Sequence, residues 1–529
     1  MTTDREQSKN WRLLRTWRPY FLIFVLGFLL YSQTLFFDFT YFDDKDLILE
    51  NYPIIGSFKN IGLIFGDDVF FHQNSFFYRP LLNLFFMSEA SIFGTSPFIF
   101  HLTNILIHIL AAVLIFRLFL KWQSSRALAF FLALLFLVHP VLTQAVSWIP
   151  GRNDSLLTVF VLAAFLSFLN FSERPRWLAA VSYLIFFFLA LLTKETAISL
   201  PFLVILYFLF LEPKKITRPD RWLLVGGSLA IVFIWILMRR FAISDVSINY
   251  LGAGLSIIQN LPGLVLGIGK IIFPFNLSVF PTLNDSSLVY GIIAIYLLFF
   301  AWFLSRAKRR RHGLFGLVWF LIFLLPSFAS FANLNYNYSD FLEHRLYLPA
   351  IGFLMFLAEI DWVKNLDFNR KRVRLIIIFI LLIFAGLTWR QSTHFHDRLT
   401  FWQTAVKNSP HSSLTQAVLG KVYYLEENPE AAVACFQKVI TLYPQAIIVH
   451  NDLGLIYLQQ KKYYLAEQEF RAELKNNPNY SKALFNLGNL YYQQKKYLEV
   501  LQTWKETLPV SPLSFQAYER LLISQSYLK

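Results

Sequence analysis

Cysteine is almost missing: Cys435 is the sole thiol in a chain of 529 residues. One cysteine can build neither an internal disulfide framework nor a cysteine-based zinc site. Charge is scarce too, at 15% of residues, and acids are the scarcer sign, 33 against 48 Lys and Arg. No GxxxxGK[ST], HExxH or GxSxG run occurs, so nucleotide hydrolysis, zinc proteolysis and elbow-type acyl transfer have no support. Apolar side chains are abundant instead: 56% of residues are hydrophobic, 18% are aromatic and 58 are Phe. Such a composition excludes a single water-soluble globule. The formal charge of +15 would suit nucleic acid only as a basic face on a polar domain.

The basic residues instead cluster in short runs between apolar stretches: Arg12, Arg15 and Arg18; Arg117, Lys121 and Arg126; Arg174 and Arg176; Lys214 to Arg221; Lys308 to Arg311; Lys364 to Arg374. That is the positive-inside pattern of a polytopic membrane protein. Apolar stretches near 19–37, 97–120, 126–143, 154–171, 177–193, 196–212, 221–240, 288–305, 313–331, 345–362 and 374–390 approach the ~20 residues that a spanning helix needs. With a cytoplasmic N-terminus, eleven crossings put every basic cluster inside and the C-terminal tail outside. The segment 258–280 breaks this count and carries Lys270, Pro274 and Asn276, so it is expected to be re-entrant or interfacial. The expected outer loops are 38–96, 144–153, 193–196, 241–287 and 332–344.

From residue 413 the chain repeats every 34 residues. Gly420, Gly454 and Gly488 recur in register, as do Tyr423, Tyr457 and Tyr491, then Phe436, Phe470 and Trp504, then Pro444, Pro478 and Pro512. Ala432 and Ala466 hold a further register that Val500 departs from. This is tetratricopeptide spacing: small residues let two helices approach, aromatics fill the groove between them, and Pro ends the second helix. A half repeat with Trp402, Ala405 and Pro410 joins the array to the last apolar stretch. The expected fold is therefore all-α: a polytopic transmembrane bundle of about 11 spans over 1–390, a half repeat or linker at 391–412, and a C-terminal solenoid over 413–529. Its repeats are 413–446, 447–480 and 481–514. Such a solenoid offers a concave face to an extended peptide or a partner protein, or else serves stability and oligomerisation.

Polar residues gather at the outer ends of the spans. Asp43 and Asp44 follow the first; adjacent carboxylates repel, so one is expected to have a raised pKa and to suit proton abstraction. Taken alone, the pair reads more economically as a solvated acidic loop. Its company alters that reading: Arg79, Arg152 with Asp154, Lys194 with Glu195, and Glu343-His344-Arg345 all fall on the same edge. His101 and His108 read as helix-to-helix hydrogen-bonding groups. A carboxylate can accept a proton from an acceptor hydroxyl, while fixed cations stabilise a departing lipid phosphate.

Phe42-Asp43-Asp44 with Asn51, Tyr78-Arg79-Pro80-Leu81, His101-Leu102-Thr103-Asn104 with His108, and His139-Pro140 with Gln144-Ala145-Val146 occur in that order. Gly151-Arg152-Asn153-Asp154, Lys194-Glu195, Glu343-His344-Arg345-Leu346-Tyr347-Leu348-Pro349 and the repeat tail complete the set. The ordered set resembles the GT-C membrane glycosyltransferases, and most closely the transmembrane and tetratricopeptide-repeat-containing O-mannosyltransferases and their bacterial relatives. That resemblance implies inverting transfer of a sugar, mannose in this family, from a polyprenyl phosphate to a hydroxyl of protein Ser or Thr on the outer face of a bacterial inner or plasma membrane. It implies Asp43 as general base, Asp44 as placing the acceptor, and Arg152, Lys194 and Arg345, with Arg79 as a further candidate, at the phosphate. Asp154, Glu195, Glu343 and His344 complete the expected substrate-binding set. No metal or cofactor is implied beyond the donor lipid, and no nucleic acid. A lipid-linked oligosaccharide ligase and a non-enzymatic membrane-anchored scaffold are the alternatives.

Overall fold

The computed structural model describes residues 16–71, 75–215, 218–243, 250–305, 310–329, 341–507 and 523. Arg12, Arg15, Lys308 and Pro512, and most of 332–344, lie outside the described residues. Among those described, helices and turns make up the secondary structure, and there is no strand. The chain divides between Phe401 and Trp402 into two compact units.

In the first unit, six described helices are long and apolar enough to cross a bilayer: Arg18–Phe36, Pro97–Lys121, Ile149–Glu173, Pro219–Ala242, Arg310–Phe328 and Lys371–Phe395. Two pairs, Arg126–Leu137 with Pro140–Ser147 and Leu251–Gln259 with Pro262–Ile272, are bent by 50° and 46°, so the count reaches at most eight if each pair is one span. The expectation of eleven is not met by length and composition. Trp177–Thr193, Glu195–Leu211 and Val289–Leu304 have at most 17 residues, and Pro349–Ala358 has ten; ten residues rise only about 15 Å. Hydropathy counts apolar residues whether or not they stay helical, and here the chain leaves the helix early. The bends have local causes. Pro140 and Pro262 cannot donate the backbone hydrogen bond that a continuous helix needs. Leu375, Ile376, Ile378, Phe379 and Leu382 stand exposed along one long helix, a surface that water disfavours and lipid tails accept.

The stretch 38–96 is not an open loop. It holds the helices Tyr52–Ile55, Ile61–Gly66 and Pro80–Phe93. Phe39, Ile48, Ile55, Ile64, Leu82 and Phe86 form a core of its own with Phe100. This cap presents the first acidic turn to the helix ends described below.

In the second unit, the helix pairs Ser413–Leu425 with Pro429–Leu442, Val449–Gln459 with Tyr463–Asn476, and Ser481–Gln493 with Tyr497–Thr507 repeat as the spacing predicts. A Cβ added at Gly420 would stand 2.6 Å from the Phe436 ring, and one at Gly454 would stand 2.7 Å from Phe470. Glycine and aromatic are thus one packing device, and the 34-residue register follows from it. Ala432, Ala466 and Val500 are all 0% exposed, so the departure at Val500 keeps its buried seat. Gly420→Ala is expected to destabilise the repeat unit by about 1–3 kcal/mol through overpacking, read as a lower melting temperature. Gly420→Ala with Phe436→Leu is expected to recover part of the loss; an unchanged single variant would contradict this packing.

Candidate functional site

Asp43 and Asp44 open the turn that leads into the single π-helical turn Lys45–Leu49. Asp44 is fully buried, and its carboxylate is already occupied. Its Oδ2 accepts from the Thr40 backbone N–H at 2.7 Å and hydroxyl at 3.0 Å, and its Oδ1 from the Phe42 N–H at 3.0 Å. Burial pushes the Asp44 carboxyl up to about 6, against the pull of those hydrogen bonds. The raised pKa expected from repulsion between adjacent acids is therefore present but has a different cause, desolvation. Asn51 ties the far end of the turn down, donating to the carbonyls of Asp46 and Phe70. Asp43 is only partly buried. Its neighbour Phe42 stacks on Trp148 with ring centroids 5.1 Å apart, and Trp148 in turn lies 5.3 Å from His344. Two ring contacts therefore connect the acidic turn to the ends of the other helices.

There the chain assembles a cluster of cations. Lys194 follows the helix Trp177–Thr193, and its Nζ lies 2.8 and 2.7 Å from the two oxygens of Asp154 on Arg152–Glu173. His344 Nε2 stands 3.6 Å from the same carboxylate. Arg79 Nε pairs with Glu195 Oε2 at 3.2 Å, while Glu195 Oε1 accepts from the Tyr78 N–H at 3.0 Å. Arg345 is half-buried and donates to the Ser327 carbonyl. Burial holds the Lys194 ammonium below its ordinary value; Asp154 opposes that shift, and the charges of Arg79 and Arg345 add to it. His344 is lowered further, by burial first and then by Lys194, Arg345 and Arg79, so it is neutral near pH 7. Three cations thus act on one place, with two carboxylates holding two of them.

The other expected residues are used differently. Arg152 is 0% exposed, and its guanidinium is bound on every side: Nη1 to Glu89 at 2.6 Å, Nε to Asn104 at 2.6 Å and Nη2 to the Phe100 carbonyl at 2.7 Å. It fixes the turn that carries Asn153 and Asp154 and does not join the cluster. Glu343 is 1% exposed and pairs with Lys270, and burial raises its carboxyl. His108 bonds Tyr347 Oη at 2.6 Å and the Leu137 carbonyl at 3.0 Å, the interhelical link that its place inside a span suggested. Among the described residues, no group of three or more His, Cys, Asp or Glu side chains is arranged to hold a metal ion. Glu89 and Trp148 went unread in the sequence. The signal for Glu89 was a lone acid among apolar residues in Pro80–Phe93, masked by reading that region as a loop.

Buried ion pairs at the ends of apolar helices, beside an acidic turn, define an integral-membrane helical domain, and a tetratricopeptide solenoid follows it. A family model described as dolichyl-phosphate-mannose-protein mannosyltransferase matches residues 79–238, which include Arg79, Arg152, Asp154, Lys194 and Glu195. A tetratricopeptide-repeat model matches 418–481 and 451–499. The chain is similar to several protein O-mannosyl-transferases. It is 25% identical over 83% of its length to mouse protein O-mannosyl-transferase TMTC3, covering 53% of that protein. It is 23% identical over 72% of its length to human TMTC1, covering 49%, and 25% identical over 77% of its length to the Caenorhabditis elegans relative F38B6.6, covering 60%. The chain spans about half the length of the first two relatives.

The pKa of Asp44 gives a test of its environment. Because the folded value lies above the ordinary carboxylate value of 3.8, the Asp44 contribution to stability is fully present below about pH 4 and is lost as pH rises through about 6. Melting of the detergent-solubilised chain from pH 4 to 7, minus that of Asp44→Asn, is expected to show that loss. Parallel curves for the two proteins would contradict the burial.

Proposed function

We propose that this chain is an inverting integral-membrane glycosyltransferase. It moves a sugar, mannose by analogy with its relatives, from a polyprenyl phosphate to the hydroxyl of a protein Ser or Thr. The observation that carries this reading is the convergence of Arg79, Lys194, Arg345 and neutral His344 at the helix ends, two ring contacts from the partly buried Asp43. A membrane-bound isoprenoid can deliver its phosphate to such a cluster while an acceptor reaches Asp43 from water. The basic runs between the spans favour a cytoplasmic N-terminus, and the first span, Arg18–Phe36, then delivers Asp43 to the extracytoplasmic side.

In the proposed step, the acceptor oxygen attacks the anomeric carbon from the face opposite the phosphate. The new carbon–oxygen bond forms as the bond from the anomeric carbon to the phosphate oxygen breaks. The acceptor proton passes to the Asp43 carboxylate, and the bonding pair leaves with the polyprenyl phosphate. Arg79, Lys194 and Arg345 stabilise the charge that grows there, a role that preorganised cations fill best where water is scarce. Asp44 holds the turn through Thr40 and Phe42 and places Asp43 rather than touching the acceptor. His344, held neutral by burial and then by its cationic neighbours, can donate to or accept from the sugar phosphate.

The domain roles divide accordingly. Residues 1–390 carry the chemistry, 391–412 connect, and 413–529 hold the acceptor. The repeat unit supports that role with a groove of about 360 Å³ lined by Lys421, Asn451, Asp452, Lys482, Phe485 and Asn486. Amide and charged groups there can pair with the backbone and side chains of an extended peptide.

Asp43→Asn tests the chemistry, since it keeps the shape and removes the base. General-base catalysis contributes about 100-fold to 10,000-fold, so sugar release from a synthetic polyprenyl-phosphate donor is expected to fall at least by the lower figure while the donor still binds. Near-normal turnover in the folded variant would overturn the assignment.

A further inference from the structure

The bent segment Leu251–Gln259 with Pro262–Ile272 takes no part in the step just described, yet it carries a buried lysine. Lys270 is 6% exposed and Glu343 1%. Lys270 Nζ lies 2.5 Å from Glu343 Oε1, and the Ser278 backbone N–H reaches the same oxygen at 2.8 Å. Withdrawing two such charges from water is costly, and the cost is recovered only where the geometry is good. A cation in an apolar segment therefore calls for an explanation beyond stability.

The surrounding contacts run in one direction, toward the Glu343–Leu346 turn. A Cβ on Gly263 would stand 2.6 Å from the Phe341 ring, and one on Gly267 would stand 2.9 Å from Leu346, so this helix lies directly beneath both ends of the turn. Gln144 spans the remaining side: its Nε2 donates to the Val279 carbonyl at 3.0 Å, and its Oε1 accepts from the His344 N–H at 3.1 Å. His139 Nε2 bonds the Ile271 carbonyl at 3.0 Å, anchoring the lysine's own helix end to the bend at Pro140. Between two of these fixed points sit His344, 3.6 Å from Asp154, and Arg345, the cluster's half-buried guanidinium.

We infer that Lys270 is a positioning residue for donor phosphate: by holding Glu343 it fixes the turn that sets His344 against Asp154 and brings Arg345 to the cluster. Glu343 then acts through this pair and does not touch the substrate, contrary to the role its motif suggested. The inference rests on the glycosyltransferase reading and extends it to a segment with no catalytic group of its own.

The test uses the purified full chain and measures direct binding of polyprenyl phosphate, donor KM, kcat at saturating donor and melting temperature. Lys270→Met is expected to weaken polyprenyl-phosphate binding and raise donor KM by about tenfold or more, the loss of one charge-assisted contact, with kcat within about threefold. Lys270→Arg is expected to restore both. Glu343→Gln retains the shape and a carbonyl oxygen that can still accept from Lys270, so this variant is expected to fold and to show the same KM effect if Lys270→Met does not fold. Leu266→Ala, a buried change on the same helix, is expected to lower the melting temperature and leave donor KM within about threefold. Wild-type donor binding in Lys270→Met and Glu343→Gln would overturn the inference, as would an equal rise in KM for Leu266→Ala. Failure of the wild-type chain to bind polyprenyl phosphate would instead overturn the functional reading beneath it.

Discussion

Lys194 and Asp154 face each other at 2.7 Å, with side chains 9% and 6% exposed. Neither charge is stable there alone, because an unpaired ion withdrawn into apolar surroundings costs several kcal/mol. The pairing dictates much of what surrounds it. Asp154 must project from the first turn of its helix, so the preceding turn has to be rigid, and Arg152 makes it so through Glu89, Asn104 and the Phe100 carbonyl. Lys194 must stand at the end of its own helix, where Glu195 is free to hold Arg79. Burial, and then those cations, keep His344 neutral, and a neutral imidazole can lie beside Asp154 among positive charges.

The ionic groups of the membrane unit thus separate into two kinds. Arg152 with Glu89 and Lys270 with Glu343 are buried pairs whose hydrogen bonds close on the protein itself. They fix backbone turns. Arg79 and Arg345 are more open and both act on Lys194. An anion meeting that point finds its donors already oriented, which is the condition under which fixed charge favours a transition state over water. The repeat unit has its own apolar core and supplies none of these groups.

Local periodicity was fully legible in the sequence, and pairing at a distance was not. The 34-residue repeat announced Gly420 opposite Phe436 because both partners recur in register. The charged motifs at span ends were legible as a set, since lipid leaves few other places for charge. Which of them would meet was hidden, because Arg152 finds Glu89 across 63 residues and Lys270 finds Glu343 across 73. Glu89 was lost by treating 38–96 as a loop; its short helices lack the length that marks a span. The eleven crossings failed for a related reason, since hydropathy does not register where an apolar stretch leaves the helix early, as it does around Pro349–Ala358. Asp44 teaches the same point in the other direction. A raised pKa in one member of the acidic pair was foreseen from repulsion, whereas burial of Asp44, opposed by the hydrogen bonds from Thr40 and Phe42, is what produces it.

The central claim is that this cationic cluster recognises the phosphate of a membrane-bound isoprenoid. Equilibrium binding of a polyprenyl phosphate and of the matching polyprenol to the purified chain in lipid nanodiscs isolates that one group, because the two ligands share the same tail. The account expects the phosphate to bind at least about tenfold more tightly, the value of a charge-assisted contact in a poorly hydrated site, and expects Arg345→Ala to erase most of the difference. Equal affinity for the two lipids would contradict it.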